Sequence, residues 1–236
     1  MIYREIAPAA AFAPAIECFW EMRDPDRVHR VVPDGCADIL LYPDGGKPSL
    51  VVVGAMTRWV DFDLRKDPVL MGARFRPGMW PAHFGIPGGR ITNARLPLED
   101  LWGAGARRLA GRSAEASSLE EWSGLLQASL GCPRDLSPFQ RAIQWMERRR
   151  GCISLDWIAR QCALSPRQFR RVCLEQTGLT PKLLARILRF RHAQTALPAH
   201  GGDFAGVALD CGYYDQSHLI HEFRRFAGRT PTAWGP

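Results

Sequence analysis

Short runs rich in β-branched and aromatic residues divide the first hundred residues of the chain. Clusters of Pro, Gly and Asp, which favour tight turns, separate these runs. Four of them have the length and composition of β-strands, at residues 38–42, 50–53, 59–64 and 69–75. This pattern predicts a β-rich N-terminal region.

Apolar residues at helical spacing replace this pattern from near Leu96 onward. One apolar face begins after Ser118 and predicts a helix that a Gly-Cys-Pro triplet at 131–133 ends. The segment after this triplet is the expected domain boundary. We therefore divide the chain into a β-rich domain with a helical C-terminal part at residues 1–132 and a helical domain at residues 137–236.

Repeated start signals predict that the second domain is entirely helical. Ser or Asp precedes most of the expected helices, and proline often occupies the first turn, where no backbone N–H is needed. One long helix begins at Pro181 and runs to about Leu197. The other expected N-caps are Ser137, Ser154, Ser165, Asp203 and Asp215. Seven helices are expected in about one hundred residues.

The helical domain contains an internal repeat. An apolar pair at 158–159 recurs at 207–208, 49 residues later, and a Gly-x-x-Pro segment at 178–181 recurs at 228–231, 50 residues later. The extra residue falls in the turn between two helices. Each copy then holds a helix, a tight turn and a second helix, which is a helix-turn-helix. The predicted fold class is α+β, with a β-rich N-terminal domain followed by an all-α seven-helix domain that has two helix-turn-helix units.

The second helix of each copy has a polar face that suits a DNA groove. Three arginines lie near the start of this helix in the first copy, and a guanidinium group can bond guanine N7 and O6 or a phosphate. A glutamine at the same place in the second copy can read adenine. The candidate DNA-binding residues are Arg167, Arg170, Arg171, Gln216, Ser217, His218 and His221. For any single arginine, the alternative is a merely solvated surface.

The charge distribution favours a polyanion partner for the C-terminal domain. Of the 31 Lys and Arg in the chain, 15 follow Leu136, together with 7 of the 24 Asp and Glu, so this part carries +8 and the rest −1. Apolar residues make up 46% of the chain and charged residues 23%, as in an ordinary globular protein. No apolar run is long enough to cross a membrane, and no signal-peptide pattern opens the chain, so we expect a cytoplasmic protein without a membrane partner.

The seven cysteines form no Cys-x-x-Cys pair. Neither a zinc site nor a disulfide framework is therefore expected, and no metal or cofactor is predicted. Cys162, Cys173 and Cys211 fall at core-facing helical positions, where a buried thiol packs as a small apolar group. The expectation is that all seven are reduced and structural. A redox or alkylation sensor that uses Cys18 or Cys36 is the alternative.

The two copies of the repeat resemble the DNA-binding domain of the AraC/XylS family of transcription regulators. The resemblance covers the chain from about Ser137 to Pro236. In the first unit it is carried by Leu155, Ile158, Ala159, Leu164, Ser165, Phe169 and Arg171. In the second unit it is carried by Val207, Ala208, Gly212, Tyr213, Ser217, Leu219, Phe223, Gly228, Pro231 and Trp234.

The resemblance implies an activator of transcription with two recognition helices that enter successive major-groove segments. These segments lie about 34 Å apart, and the helix from Pro181 would hold the two recognition helices at that separation. The resemblance also implies base contacts by the seven candidate residues. Its implied partners are double-stranded DNA, RNA polymerase, a small-molecule effector and a second copy of the chain. The family commonly has Arg where this sequence has His221, so that contact is expected to be weaker, pH-sensitive or absent.

The N-terminal region resembles a little-characterised β-rich domain that precedes such DNA-binding units. The similar segments are Pro-Asp-Gly-Cys-Ala-Asp at 33–38 and Val-Gly-Ala-Met-Thr at 53–57. In the family this place is usually held by a cupin-like effector or dimerisation domain, but the paired His and Glu of a metal cupin are not found here. A pocket for a small anionic effector could be lined by Asp34, Cys36, Asp38, Arg58, Arg74 and Arg76. Turn residues and surface charge are the alternative interpretation.

Three functions are weighed, of which a DNA-binding regulator that is not an enzyme is favoured. The second is an enzyme that accepts alkyl groups on Cys18 or Cys36 and uses the helical domain to reach DNA. No His or Glu stands at a recognisable activating distance from either cysteine in the sequence, and no Gly-rich phosphate loop is present. The third is a helical protein-interaction module, which does not explain why the polar outer face is repeated.

Overall fold

The computed structural model describes residues 2–23, 28–44, 47–63, 69–131 and 135–234. Eight strands precede most of the helices in this part of the chain. They are β1 (Ile2–Ile6), β2 (Ile16–Arg23), β3 (Val28–Val31), β4 (Ala37–Asp44), β5 (Lys47–Val53), β6 (Val60–Asp63), β7 (Val69–Phe75) and β8 (Arg95–Pro97).

Six of these strands form one antiparallel sheet in the order β1-β2-β7-β4-β5-β8, and β3 pairs with β6 in a separate two-stranded sheet. Both faces of the large sheet are covered. In β4, Ile39 and Leu41 point into one apolar cluster while Leu40 and Tyr42 point into another. Because successive side chains of a strand alternate between faces, such a strand reads as an unbroken apolar run.

Four short helices close the first face of the sheet. They are α1 (Trp80–Phe84), α2 (Leu98–Trp102), α3 (Ala104–Ser113) and α4 (Leu119–Leu130). Helix α4 begins after Ser118, as the sequence predicted, and the Ser118 side chain caps it by accepting a hydrogen bond from the backbone N–H of Glu121. Trp122 of α4 is fully buried and meets Phe19 of β2 edge to face, with 6.0 Å between ring centroids.

All regular secondary structure in the described C-terminal residues, 135–234, is helical. Its α-helices are α5 (Pro138–Arg148), α6 (Leu155–Gln161), α7 (Pro166–Thr177), α8 (Pro181–Ala196), α9 (Phe204–Asp210) and α10 (Gln216–Ala227). Two 3-10 helices, Leu197–His200 and Pro231–Trp234, complete it. The sequence predicted seven helices here, and the structure has these six α-helices and two short 3-10 helices.

The predicted helix starts are confirmed at each proposed cap. The side chains of Ser137, Ser154, Ser165, Asp203 and Asp215 each accept a hydrogen bond from a backbone N–H in the first turn of the following helix. The long helix α8 begins at Pro181 as predicted and has Thr180 as its cap. These signals are local, so they can be read without knowledge of the tertiary fold.

Contacts between the β-rich region and the helical region are extensive. Arg191 of α8 donates to Glu17 of β2, with 2.5 Å from Nη2 to Oε1, and Thr92 donates to the backbone oxygen of Gly178 at 3.2 Å. Ala55 is buried in the same apolar cluster as the C-terminal helices. The predicted boundary at 132–137 stays a prediction, and Cys132 and Leu64 of the predicted elements lie outside the described residues.

Candidate nucleic-acid interface

The two copies of the repeat have the same turn geometry. In the first, the N–H of Leu164 donates to the carbonyl of Ala159 at 3.1 Å, and in the second the N–H of Tyr213 donates to Ala208 at 2.9 Å. The residue before this donor is left-handed in both copies, with φ of 54° at Ala163 and 71° at Gly212. The two short helices therefore meet the two following helices through equivalent turns.

The inserted residue of the second copy is Tyr214, which immediately precedes the Asp215 cap of α10. Its side chain is 91% exposed, the highest value among the large apolar residues that the structure describes. Its backbone N–H donates to Nδ1 of His218 at 3.3 Å. Tyr214 is not among the DNA-binding residues predicted from the sequence, although its place in the turn before a polar helix start was a signal available there.

The first candidate recognition helix, α7, has its apolar residues inside and its arginines outside. Phe169 and Cys173 are buried, whereas Arg167, Arg170 and Arg171 are all exposed. A capping box between Ser165 and Gln168 satisfies the first backbone N–H groups of the helix. The three guanidinium groups are therefore brought together on one accessible surface.

The second candidate recognition helix, α10, also has its apolar residues inside and its polar residues outside, but the outer residues at its start carry less positive charge than those of α7. Gln216, Ser217 and His221 are exposed. His218 is half-buried because its ring stands edge-on against Tyr213, with 5.2 Å between the ring centroids. Since Nδ1 of His218 accepts the N–H of Tyr214, the neutral ring carries its proton on Nε2, which makes Nε2 a donor.

Helix α8 connects the two units and holds α10 in place. Arg186 of α8 forms a two-pronged ion pair with Glu222 of α10, with 2.9 Å from Nε to Oε2 and 2.6 Å from Nη2 to Oε1. The Glu222 side chain is 2% exposed. Phe190 of α8 packs between Phe223 and Phe226 of α10, with ring centroids 4.9 and 5.3 Å away. The ion pair and the aromatic contacts fix the orientation of α10 relative to α8.

Five of the six proposed effector residues line one pocket in the β-rich region. The pocket has a volume of about 490 Å³ and lies between the outer face of the large sheet and the β3–β6 pair. The five residues are Asp34, Cys36, Asp38, Arg58 and Arg74. Arg76 is the exception, because its guanidinium faces Glu147 of α5 at 3.4 Å.

Charges at the inner end of this pocket are closely coupled. Nε of Arg74 lies 3.3 Å from Oδ2 of Asp34 and 3.6 Å from Oδ1 of Asp38. Burial raises the pKa of Asp38 to about 6, although Arg74 opposes this rise. Asp38 also accepts a hydrogen bond from Nε1 of Trp20 at 2.9 Å.

The two cysteines of the enzyme alternative are poorly suited to nucleophilic chemistry. Both Cys18 and Cys36 are buried. Burial raises the pKa of Cys18 to about 12 and that of Cys36 well above its ordinary value. A nucleophilic cysteine needs an accessible thiol of lowered pKa, so the geometry disfavours an alkyl acceptor at either position.

Two further observations concern the part of the chain that the structure describes. No group of three or more His, Cys, Asp or Glu side chains is arranged to hold a metal ion there. The same residues include no helix with the length and apolarity needed to cross a membrane.

Two sequence models match separate parts of the chain. Residues 158–235 match a helix-turn-helix domain, and residues 4–97 match a domain of unknown function (DUF6597). The C-terminal part of this chain is therefore similar to helix-turn-helix domains.

Curated relatives match part of this chain. The transcriptional activator RhaS of Escherichia fergusonii is 33% identical over 90 residues, which is 38% of this chain and 32% of RhaS. RhaS of Escherichia coli strain SE11 is 34% identical over 73 residues, or 31% of this chain and 26% of RhaS. The match thus spans about one third or less of these relatives.

Two solved structures are similar at low identity. An apo variant of ToxT from Vibrio cholerae strain SCE256 is 11% identical, with a TM-score of 0.49 over 92% of this chain and 96% of ToxT. A DNA-binding transcriptional dual regulator from Escherichia coli K-12 is 24% identical, with a TM-score of 0.37 over 43% of this chain and 92% of the regulator.

Proposed function

We propose that this protein is a sequence-specific DNA-binding regulator of transcription that inserts α7 and α10 into successive major-groove segments. The observation that carries the proposal is the pair of equivalent turns, each followed by a helix whose N-terminal half is polar and exposed. Packing alone gives no reason for two such surfaces at the same place in two copies of a repeat.

Helix α7 would supply the stronger base contacts. Arg167, Arg170 and Arg171 are exposed, and no described residue forms an ion pair with them. An unpaired guanidinium on an exposed helix start can bond guanine in two-pronged fashion or contact phosphate. The domain's charge of +8 would add affinity that does not depend on sequence and that weakens with salt.

Helix α10 would read fewer bases. Gln216 suits adenine, and the Nε2–H of His218 can donate to a base edge or a phosphate. His221 is exposed but shorter than arginine, so it reaches less far into a groove. Tyr214, at the turn before α10, would contact the DNA backbone through its hydroxyl.

Regulation would come from the β-rich region. The pocket that includes Asp34 and Asp38 is the proposed effector site, and Arg191 of α8 donates to the carbonyl of Asp34 at 3.4 Å. A ligand that moves Asp34 would therefore act on the helix that connects the two recognition helices. The activator role, RNA polymerase and a second copy as partners, and the cytoplasmic location belong to the same proposal.

The test is selection of binding sites from a random duplex library, followed by anisotropy titrations of wild type and Arg170→Ala on the selected site. If Arg170 reads a guanine, its loss costs about 1–3 kcal/mol on the selected site and relaxes preference at one position. Equal weakening on random DNA assigns Arg170 to a phosphate instead. Arg108→Ala, an exposed arginine of α3, is the matched control and should bind as wild type. Failure to select any sequence overturns the proposal.

A further inference from the structure

The proposed effector pocket has mostly apolar walls and a polar inner end. Trp20, Leu40 and Leu70 of the large sheet line one side, and Val31 and Phe62 of the small sheet line the other. A volume of about 490 Å³ falls in the range of sites that enclose a small organic molecule. Its occupant should therefore have an apolar body, and the polar end decides what head group that body carries.

The inner end has more carboxylates than cations. Arg74 is placed against both Asp34 and Asp38, and its Nη1 also lies 3.9 Å from Oε1 of Glu5. Glu5 lies outside the pocket lining, so within the pocket one guanidinium faces two carboxylates. Oδ1 of Asp38 accepts a hydrogen bond from the N–H of the Trp20 indole. This end would repel an anion and attract a cation.

The remaining cationic side chains lie elsewhere on the pocket wall. Arg58 is exposed, and Arg95 is exposed above the rings of Tyr42 and Phe62, 4.6 and 5.0 Å from their centroids. In the described part of the chain neither arginine forms an ion pair with Asp34 or Asp38. His29 also lines the pocket. Arg58 and Arg95 therefore do not neutralise the carboxylates at the inner end, where Arg74 is the cation of the pocket lining.

Aromatic rings adjoin the surplus carboxylates. The Trp20 indole lies over Gly72, where even a Cβ atom would overlap it, and the ring of Tyr3 is 6.3 Å from that of Trp20. A ring face beside a carboxylate is a favourable environment for an ammonium group, because both attract positive charge.

We infer that the pocket takes an organic ammonium ligand, an amine with an aromatic or aliphatic body, whose charged group bonds Asp38 and Asp34. This differs from the small anion that the sequence suggested. The inference deepens the proposed function, since it names the chemistry of its effector, and it rests on that function for its regulatory meaning.

The test uses three probes of nearly equal shape, titrated calorimetrically into the full-length protein without DNA. They are 3-phenylpropylamine, 3-phenylpropan-1-ol and 3-phenylpropanoate. The amine is expected to bind at least about tenfold more tightly than the alcohol, as one charge-assisted hydrogen bond provides, and the acid should bind most weakly. Asp38→Asn keeps an acceptor for the Trp20 indole and should abolish the preference for the amine over the alcohol. Asp100→Asn, an exposed carboxylate of α2 outside the pocket, should keep it.

Tighter binding of the acid, equal binding of amine and alcohol, or binding of none of the three overturns the inference. An unchanged amine preference in Asp38→Asn, with a melting temperature that shows the variant is folded, also overturns it. The DNA titrations above are independent of these. If the protein prefers amines but selects no DNA site, the proposed function is wrong and this inference stands as a statement about the pocket. If the protein selects a DNA site but does not prefer amines, this inference alone is wrong.

Discussion

The ion pair between Arg186 and Glu222 links α8 to α10 and helps to fix the position of α10. Replacing Arg186 with Met keeps most of the side-chain volume but leaves the Glu222 carboxylate, 2% exposed, without its partner. The variant therefore removes the contribution of the Arg186 charge to stability while it keeps most of the contribution of its packing.

The cost can be worked from this burial. Removal of one partner from a fully buried pair costs about 3–5 kcal/mol, because the other charge stays desolvated. The Arg186 side chain is 22% exposed, so water can partly reach the vacated site and we take about 2–4 kcal/mol. Loss of the guanidinium from its place 5.5 Å from the Phe226 ring centroid adds about 0.5 kcal/mol.

Urea-induced unfolding of Arg186→Met, Glu222→Met and the double variant measures how much each substitution lowers the free energy of unfolding. Because replacing both members of a buried pair by apolar residues is often close to neutral, the double variant should lose less than either single variant. Arg224→Met, on the exposed side of α10, is the control and should change the free energy of unfolding by less than about 0.5 kcal/mol. If Arg186→Met costs no more than Arg224→Met, or if the two single losses simply add, the pair does not anchor α10.

Three further predictions concern other parts of the molecule. Ala163 is left-handed with φ of 54°, so Ala163→Gly should raise the free energy of unfolding in urea by about 0.5–1 kcal/mol. Gly212→Ala, at the equivalent turn, should lower the free energy of unfolding, because the added Cβ would lie 2.5 Å from Sγ of Cys152. A lower free energy of unfolding in both variants would contradict the equivalence of the two turns. Burial raises the pKa of Glu147 from 4.5 to about 7 despite Arg76, so the folded protein binds this proton more tightly than the unfolded chain. The free energy of unfolding should therefore fall by up to about 1.4 kcal/mol per pH unit as the pH rises between those values. In urea titrations at several pH values Glu147→Gln should flatten that slope, and an unchanged slope would contradict the burial argument. Cys18 and Cys36 are buried and their pKa values are raised, whereas Cys152 is exposed. Iodoacetamide should therefore label Cys152 at least about a hundredfold faster than Cys18 or Cys36, as measured by peptide mapping. Comparable labelling of Cys36 in the folded protein would support the alkyl-acceptor alternative.

The local signals of the helical region could be read from the sequence because they depend on neighbours in the chain. A cap such as Ser165 and a turn such as 162–164 need only a few residues, and the repeat exposed both copies. The half-buried state of His218 could not be read in this way. It depends on its contacts with Tyr213 and Tyr214, which only the three-dimensional turn brings against it.

The sheet was only partly predictable. Strand β2 (Ile16–Arg23) was not predicted because Glu17 and Glu21 interrupt its apolar run. Glu17 pairs with the distant Arg191, and Glu21 pairs with Arg4 of the neighbouring strand and with Arg23 of its own. The strand β1 that pairs with it is exposed over most of its length and has no apolar alternation.

The pocket residues were partly predictable for a related reason. Strand alternation puts Arg74 on the pocket face of β7 and would place Arg76 on the same face. The strand ends at Phe75, however, so Arg76 turns toward α5 and Glu147 instead. The surplus of carboxylates at the inner end depends on which side chains meet across neighbouring strands. The spacing of residues along the chain does not reveal these contacts.

The central claim is that α7 and α10 read two DNA segments at one fixed separation, and insertion between these segments tests it most directly. Anisotropy titrations would compare the selected site with the same site lengthened by about half a helical turn, or about 5 bp, between its two halves. We predict a loss of at least about tenfold in affinity, because one helix must then give up its base contacts. Unchanged affinity for the lengthened site would contradict the account, since it would mean that only one of the two helices reads DNA.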